Sequence, residues 1–427
     1  MKNEKIYSQI IALTKEIFFH PPNKDIGIVK QFIVGDLNLP FPLFGIALKW
    51  WYSKRALKLC ENIAKMSMEF DKELRYGDIK DLSKTIKSTL ESNATNKELF
   101  QIFSNSPNTL FESRTESDIQ KYSKKIWDTL HASMLLSLTK WLILYPAPGI
   151  ISNSYNLQYD GLHIIRSADY EYWDQFKPTY PALNYLDFAS FKNAEGEKIL
   201  NIDPPKSWLM CEILGTENKS RFYASLFMRK FIAVLFSFLR ENNQLATSKS
   251  MRNVNSYSVQ LPFAHSNIGV APIFSSIGTL IHPILSEIEL KNGILGTVEN
   301  WYNHCEKLDN NKYHRVSKAS HFLNYALVMD GIIQFLYFFI VLDALFGVRN
   351  NVEKSIKNGI RNYLTEPEWQ QKVEKLFDLR SELVHGGSSY IEEWKKYDWY
   401  VNHFDSFPER DVEIAATKCL REYVFSK

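Results

Sequence analysis

Cysteine is scarce in this 427-residue sequence: Cys60, Cys211, Cys305 and Cys419 are widely separated and form no C-x-x-C pair. That argues against a disulfide framework or a zinc knuckle and fits a reducing, cytoplasmic environment. Glycine (17) and proline (16) are also few for the length, which favours long regular elements over a loop-rich β sandwich. No excess of one charge is present. Lys and Arg total 51 against 48 Asp and Glu, a balance of +3. Non-specific coating of nucleic acid is therefore not expected, although a local basic patch is allowed. No internal repeat or low-complexity tract occurs, and the sequence lacks GxxxxGK[ST], HExxH, GxSxG and a helix-opening GxGxxG. His304-Cys305 has no further ligands at metal spacing, so no metal site is expected there. Ile6 to Phe19 is interrupted by Lys15 and Glu16 and has no small-residue cleavage site. It reads as an amphipathic helix, with Ile6, Ile10 and Ile17 on one side, and not as a signal peptide.

What the sequence does have is material for a large core. Hydrophobic residues make up 45%, charged residues 23% and aromatics 14%, the composition of a folded soluble protein of about two to three domains. The expected fold is mainly α, with minor β. Residues 1–150 read as a helical N-terminal region, 151–306 as a mixed α/β region, and 307–427 as a compact helical unit. Helical periodicity is expected from Ile6 to Phe70 with a break at Leu39-Pro40-Phe41-Pro42, from Ile79 to Leu90, and from Ile126 to Leu144. Residues 104–118 read as a linker or exposed loop. Asp160-Gly161 signals a hairpin and Glu195-Gly196 a second turn. Further helices are expected over Arg221–Arg240 and Ile277–Leu290, the latter despite Pro283, with a polar loop over 241–258 and a linker over 306–314. Gly331 to Val348 approaches the length of a membrane span. Gln334 and Asp343 interrupt it, so it reads as a buried bundle helix and no membrane partner is expected.

The segment carrying chemistry is Val373 to Gly387, VEKLFDLRSELVHGG. As a helix it places Val373, Leu376, Phe377 and Val384 on an apolar stripe with Arg380 in its middle. A guanidinium is seldom buried unpaired, so Arg380 either has a carboxylate partner or faces a site. His385 follows at the helix end, where Gly386-Gly387 supply a stop.

Arg380, four residues and His385 resemble the R-x4-6-H motif of HEPN ribonucleases, and LFDLRSELVHG resembles the signature of the Apea-like HEPN family. Upstream, Arg315 to Phe346 resembles that family's long first helix, with Asp343 where a Glu is more usual. Downstream, Asp411 to Val424 resembles its closing helix. Ser381 stands where Asn, Asp or His often follows the motif arginine, a departure in the site's polar support. The resemblance implies a metal-independent endoribonuclease without cofactor, acting in antiviral or abortive-infection defence. Arg380 and His385 would be catalytic, with Ser381, Glu382 and Asp343 supporting them and Asp343 orienting or neutralising Arg380. In such chemistry the 2′-OH attacks the adjacent phosphate, a histidine moves the protons and an arginine braces the pentavalent charge. The family resemblance further implies a homodimer, or a higher even oligomer, that brings two copies of each residue into one cleft, with a phage-derived trigger or an inhibitory partner. Two alternatives remain: a non-catalytic HEPN module that binds RNA or scaffolds a complex, and the toxin of a toxin–antitoxin pair.

Beside the motif, Tyr390, Trp394, Lys395, Lys396, Tyr397, Trp399, Tyr400 and His403 interleave aromatics with positive charge. Such a mix can stack unpaired bases and hold phosphates, so Trp394, Lys395, Lys396, Tyr397 and Trp399 are candidate RNA contacts on an extended loop, Ser388 to Glu409. The same residues could instead form a flap packed onto the bundle. Lys49 to Arg55, with Trp50 and Trp51, reads as an amphipathic helix with snorkelling lysines. Arg315 to His321 also satisfies R-x5-H, but it opens a helix and lacks a glycine stop, so it is read as structural.

Overall fold

The computed structural model describes residues 2–21, 26–34, 46–94, 108–109, 112, 115–157, 161–190, 192–193, 204–241, 257–264, 271–276, 278–281 and 287–426. Among them thirteen α-helices of up to 25 residues outweigh strands no longer than nine, so the fold is mainly α with minor β. The chain divides into two compact units. One contains Met1–Trp141, Ile213–Phe222 and Pro262–Val270; the other contains Leu142–Glu212, Tyr223–Leu261 and Ala271–Lys427, and so all of residues 307–427. The expected turn at Glu195-Gly196 and the break at 39–42 lie outside the described residues, as does most of the expected loop at 241–258.

The first unit opens with α1 (Lys2–Thr14), followed by β1 (Ile17–Phe18), β2 (Ile26–Val34) and β3 (Ile46–Ser53) in a three-stranded sheet ordered β1-β3-β2. The helical periodicity expected up to Phe70 is therefore wrong over Ile17–Phe18, Ile26–Val34 and Ile46–Ser53. The Lys49–Ser53 part of the presumed amphipathic helix is strand as well. There Trp50 and Tyr52 are buried whereas Lys49 is exposed and Trp51 half-buried, the two-residue alternation of a strand with one covered face. Ser53 ends the strand and caps α2 (Lys54–Phe70): its Oγ accepts from the Ala56 amide (3.0 Å) and donates to Glu16 (2.7 Å). Helices α3 (Ile79–Ala94) and α4 (Glu116–Leu136) complete the unit. Ile10, Leu13, Ile63, Ile86 and Leu130 meet in its core. The helix expected to reach Leu144 stops at Leu136. Strand β4 (Thr139–Pro146) follows, where Trp141 to Tyr145 form a run buried on both faces that helical periodicity alone does not distinguish.

The chain continues, for the most part in the second unit, with β5 (Ile150–Ser152), β6 (Tyr155–Leu157), β7 (Leu162–Arg166), α5 (Tyr170–Asp174), β8 (Leu186–Asp187), β9 (Lys192–Asn193), β10 (Ser207–Gly215), α6 (Glu217–Glu241), β11 (Tyr257–Pro262), β12 (Ile273–Ser276) and β13 (Ile288–Leu290). Six strands form one sheet ordered β12-β11-β4-β10-β7-β6. The hairpin read from Asp160-Gly161 is present as the antiparallel pair β6–β7, with Gly161 at a positive φ of 61°; Asp160 itself is outside the described residues. Of the helix expected over 277–290, the described residues 278–281 and 287–290 are not helical, a correction: β13 pairs there in parallel with β5.

The C-terminal helices are α7 (Asn292–Cys305), α8 (Asn310–Val328), α9 (Gly331–Phe346), α10 (Val352–Tyr363), α11 (Glu368–Val384), α12 (Tyr397–Phe404) and α13 (Pro408–Tyr423). The linker expected at 306–314 shrinks to four residues, because Asp309 accepts from the Asn311 and Lys312 amides and caps α8. The single long helix expected over 315–346 is two. Met329 and Asp330 are extended and Gly331 takes a φ of 56°, so the chain reverses there. Arg315 donates to the Leu345 and Gly347 carbonyls (2.8 and 3.1 Å), closing the C-terminus of α9, which is a structural role. Arg421 of α13 donates to the Ser237 carbonyl (2.7 Å) and pairs with Glu241 of α6, while Trp301 of α7 donates to the Leu420 carbonyl. Helix α9 buries Phe335, Phe338, Phe339, Leu342 and Leu345 inside the unit, as a bundle helix does. Among the described residues one helix, α6, is long and apolar enough to cross a membrane, and 72% of its most apolar stretch is buried in the protein.

Candidate active site

Arg380 and His385 sit at the C-terminal end of α11, and the local sequence explains how that end is built. His385 is the C-cap, its amide bonded to the Ser381 carbonyl (3.0 Å). Gly386 follows at a φ of 75°, and the Gly387 amide returns to the Glu382 carbonyl (2.9 Å). This is the Schellman arrangement, and only glycine enters the left-handed region without cost. The glycine stop read from the sequence is thus present. The half-buried Glu382 packs its side chain beside Gly387, so a Cβ there would lie 2.7 Å from the carboxyl carbon.

The apolar stripe differs from the one expected. Trp369, Lys372, Val373, Leu376, Phe377, Leu379 and Leu383 are the buried positions, so Val373, Leu376 and Phe377 lie on the stripe as expected, whereas Val384 is 53% exposed. Leu379 and Leu383 keep steps of three and four with Leu376 and compete better for the core. Arg380 therefore lies on the flank of the stripe. It is exposed, with its guanidinium over the Phe339 ring of α9 (5.7 Å). The expected partnership with Asp343 is not formed: both side chains are exposed, and neither makes an ion pair among the described residues. Asp343 instead packs its carboxylate against Gly347. Ser381 and His385 are exposed too. A five-residue separation on a helix is about 140° around and 7.5 Å along the axis. A single chain thus presents its arginine and histidine on different sides of one helix end, both open to solvent.

The segment expected as an extended loop, Ser388 to Glu409, is largely folded. Ile391–Glu393 forms a 3-10 turn and α12 follows. The aromatics divide accordingly. Trp394 is 4% exposed and Tyr400 fully buried, so neither offers a face to a base. Trp399 is 42% exposed, stacked on His403 (4.7 Å, 14°) with Lys375 of α11 over its ring (5.3 Å). Lys396 pairs with Asp378 (2.9 Å), and Lys395 is exposed while Tyr397 is half-buried. Sequence reasoning missed Phe339, which supports Arg380, and Lys375, which completes the Trp399–His403 stack. The one signal was that Lys375 and Asp378 recur at i and i+3 on the outer face of α11.

A buried network fixes this end of the protein. The Lys372 ammonium lies 3.3 Å from Asp411 and 3.0 Å from Glu368, while Tyr400 and Ser406 donate to Asp411 (2.7 and 3.0 Å). Burial, and next to it the Asp411 charge, push the Tyr400 phenol up, so it stays a donor. Among the described residues no three His, Cys, Asp or Glu side chains converge as a metal site would require. Comparison with family models, with curated proteins and with solved structures finds no match for this chain.

Proposed function

We propose that residues 307–427 form a HEPN-type endoribonuclease that cleaves RNA without a metal or cofactor, in the cytoplasm, as the effector of a defence system. The observation that carries this reading is the C-terminal end of α11. An arginine without a carboxylate partner among the described residues and a histidine at the C-cap are both exposed on a helix end fixed by Gly386. An unpaired, solvent-facing guanidinium does little for stability but can meet a phosphodiester.

On this reading His385 takes the 2′-OH proton as the oxygen attacks phosphorus, or returns a proton to the departing 5′-oxygen. Arg380 donates to the equatorial phosphate oxygens, where negative charge accumulates. One chain cannot supply both an acid and a base from a single histidine. A homodimer pairing two α11 ends across a cleft would supply them, and would cover Val384, which is exposed in the single chain. The Trp399–His403–Lys375 stack and Lys395 offer a base platform and a phosphate contact. Glu382 packs against Gly387 at the helix end, and the Ser381 carbonyl accepts from the His385 amide.

The test is overexpression with growth as the readout, together with cleavage of total RNA by the purified protein. The reading expects toxicity that His385→Ala relieves, and light scattering that gives a dimer or an even multiple. A non-toxic, RNA-binding protein unaffected by His385→Ala would favour the non-catalytic module. Toxicity neutralised by a co-expressed neighbouring gene product would favour the toxin of a toxin–antitoxin pair.

A further inference from the structure

Helix α6 carries a buried cation without a counter-ion. Arg229 is 6% exposed, and no acidic side chain among the described residues pairs with it. Its Nη1 donates to the Thr279 carbonyl (3.2 Å) and to Asn324 Oδ1, and its guanidinium lies over the Tyr325 ring (4.3 Å). Asn324 is held in that orientation because its amide nitrogen donates to the Leu280 carbonyl (2.8 Å). Nε and Nη2 have no protein acceptor among the described residues. Nη2 lies near Gly278, where a Cβ would stand 3.3 Å from it. Carbonyl acceptors and a π face lower the cost of burying the charge but leave it unneutralised.

The neighbouring histidine is incomplete as well. His321, three residues before Asn324 on α8, packs its ring against Tyr325 (4.9 Å), and its Nδ1 is buried without a partner. Tyr325 in turn stacks on Tyr337 of α9 (5.8 Å), which fixes the wall behind both groups. Burial, and after it the Arg229 charge, hold the imidazole below its usual range, so it is neutral and offers one N–H. A guanidinium edge with two unused donors beside a neutral imidazole matches a group that brings one negative charge and two or more oxygens.

We propose that Arg229 and His321 bind a compact oxyanion, the carboxylate or phosphoryl group of a small molecule, between α6 and α8. The site is separate from Arg380 and His385 and stands or falls independently of the ribonuclease reading. Equilibrium dialysis of the full chain against radiolabelled acetate and, in a parallel arm, inorganic phosphate at constant pH and ionic strength tests it. The expected result is saturable binding of one anion per chain in at least one arm, with the arm identifying the group. Binding should weaken about tenfold or more in Arg229→Lys, which keeps the charge but loses the fork. The melting temperature should rise with that anion in the wild type and not in Arg229→Met. Absence of saturable binding of both anions to the wild type overturns the proposal, as does equal affinity in Arg229→Lys. The wild-type dialysis alone decides the matter if Arg229→Met fails to fold.

Discussion

Asp411→Ala should be among the most damaging single changes in the C-terminal helices. Asp411 is 1% exposed and Lys372 4%, and the carboxylate accepts from the Tyr400 and Ser406 hydroxyls while facing the Lys372 ammonium. Removing one partner of a buried ion pair typically costs about 3–5 kcal/mol, because the other charge is stranded. Here Glu368, half exposed and 3.0 Å from Lys372, retains part of the compensation. The ammonium also lies over the Trp369 and Phe404 rings (5.2 and 5.5 Å). The lower end, about 3 kcal/mol, is therefore expected. Asp411→Asn keeps an acceptor for Tyr400 and should lose about half as much. The double variant Lys372→Met/Asp411→Leu should recover most of the loss, since it removes the stranded charge together with its partner. Urea unfolding monitored by tryptophan fluorescence measures all three. An Asp411→Ala unfolding free energy within about 0.5 kcal/mol of wild type would refute the reasoning, and so would a double variant as weak as the single one.

Arg380→Ala should change stability by less than about 1 kcal/mol, because Arg380 is exposed and contributes only a cation–π contact to Phe339; thermal melting checks this. Gly386→Ala should cost about 1–2 kcal/mol, since a Cβ at a φ of 75° is strained. The same melting assay reads that loss, and a melting temperature unchanged from wild type would contradict the cap. Trp394→Ala should cost about 3–5 kcal/mol of stability, as a buried aromatic does. Trp399→Ala should leave the fold nearly intact and weaken single-stranded RNA binding by about 1–3 kcal/mol, measured by fluorescence anisotropy.

The legibility of this sequence follows which forces are local. Gly386-Gly387 announced the end of α11 because a left-handed C-cap is a one-residue requirement. The β6–β7 hairpin was legible from its turn residues, whereas the helix over Asp411 to Val424 was expected only through the family resemblance. Lys49 to Ser53 and Trp141 to Tyr145 were misread because short apolar runs carry both periods, and only sheet pairing decides between them. Arg380 was assigned to the middle of a buried stripe because helix phase cannot be fixed from four apolar positions. Leu379 and Leu383, only one residue away, took the core instead. The Arg229–Asn324–His321 cluster was invisible, since its members stand about ninety residues apart and meet only when α6 packs on α8.

The central claim is that the end of α11 cleaves RNA through the substrate's own 2′-OH. The most direct test is incubation of the purified protein with end-labelled RNA in EDTA, followed by analysis of the product ends. The account predicts cleavage that persists in EDTA and leaves a 2′,3′-cyclic phosphate and a 5′-OH. It also predicts no cleavage where the scissile nucleotide is 2′-deoxy, and about 10²–10⁴-fold less cleavage in His385→Ala. Strict dependence on a divalent metal, cleavage at the 2′-deoxy nucleotide, or full activity in His385→Ala would contradict it.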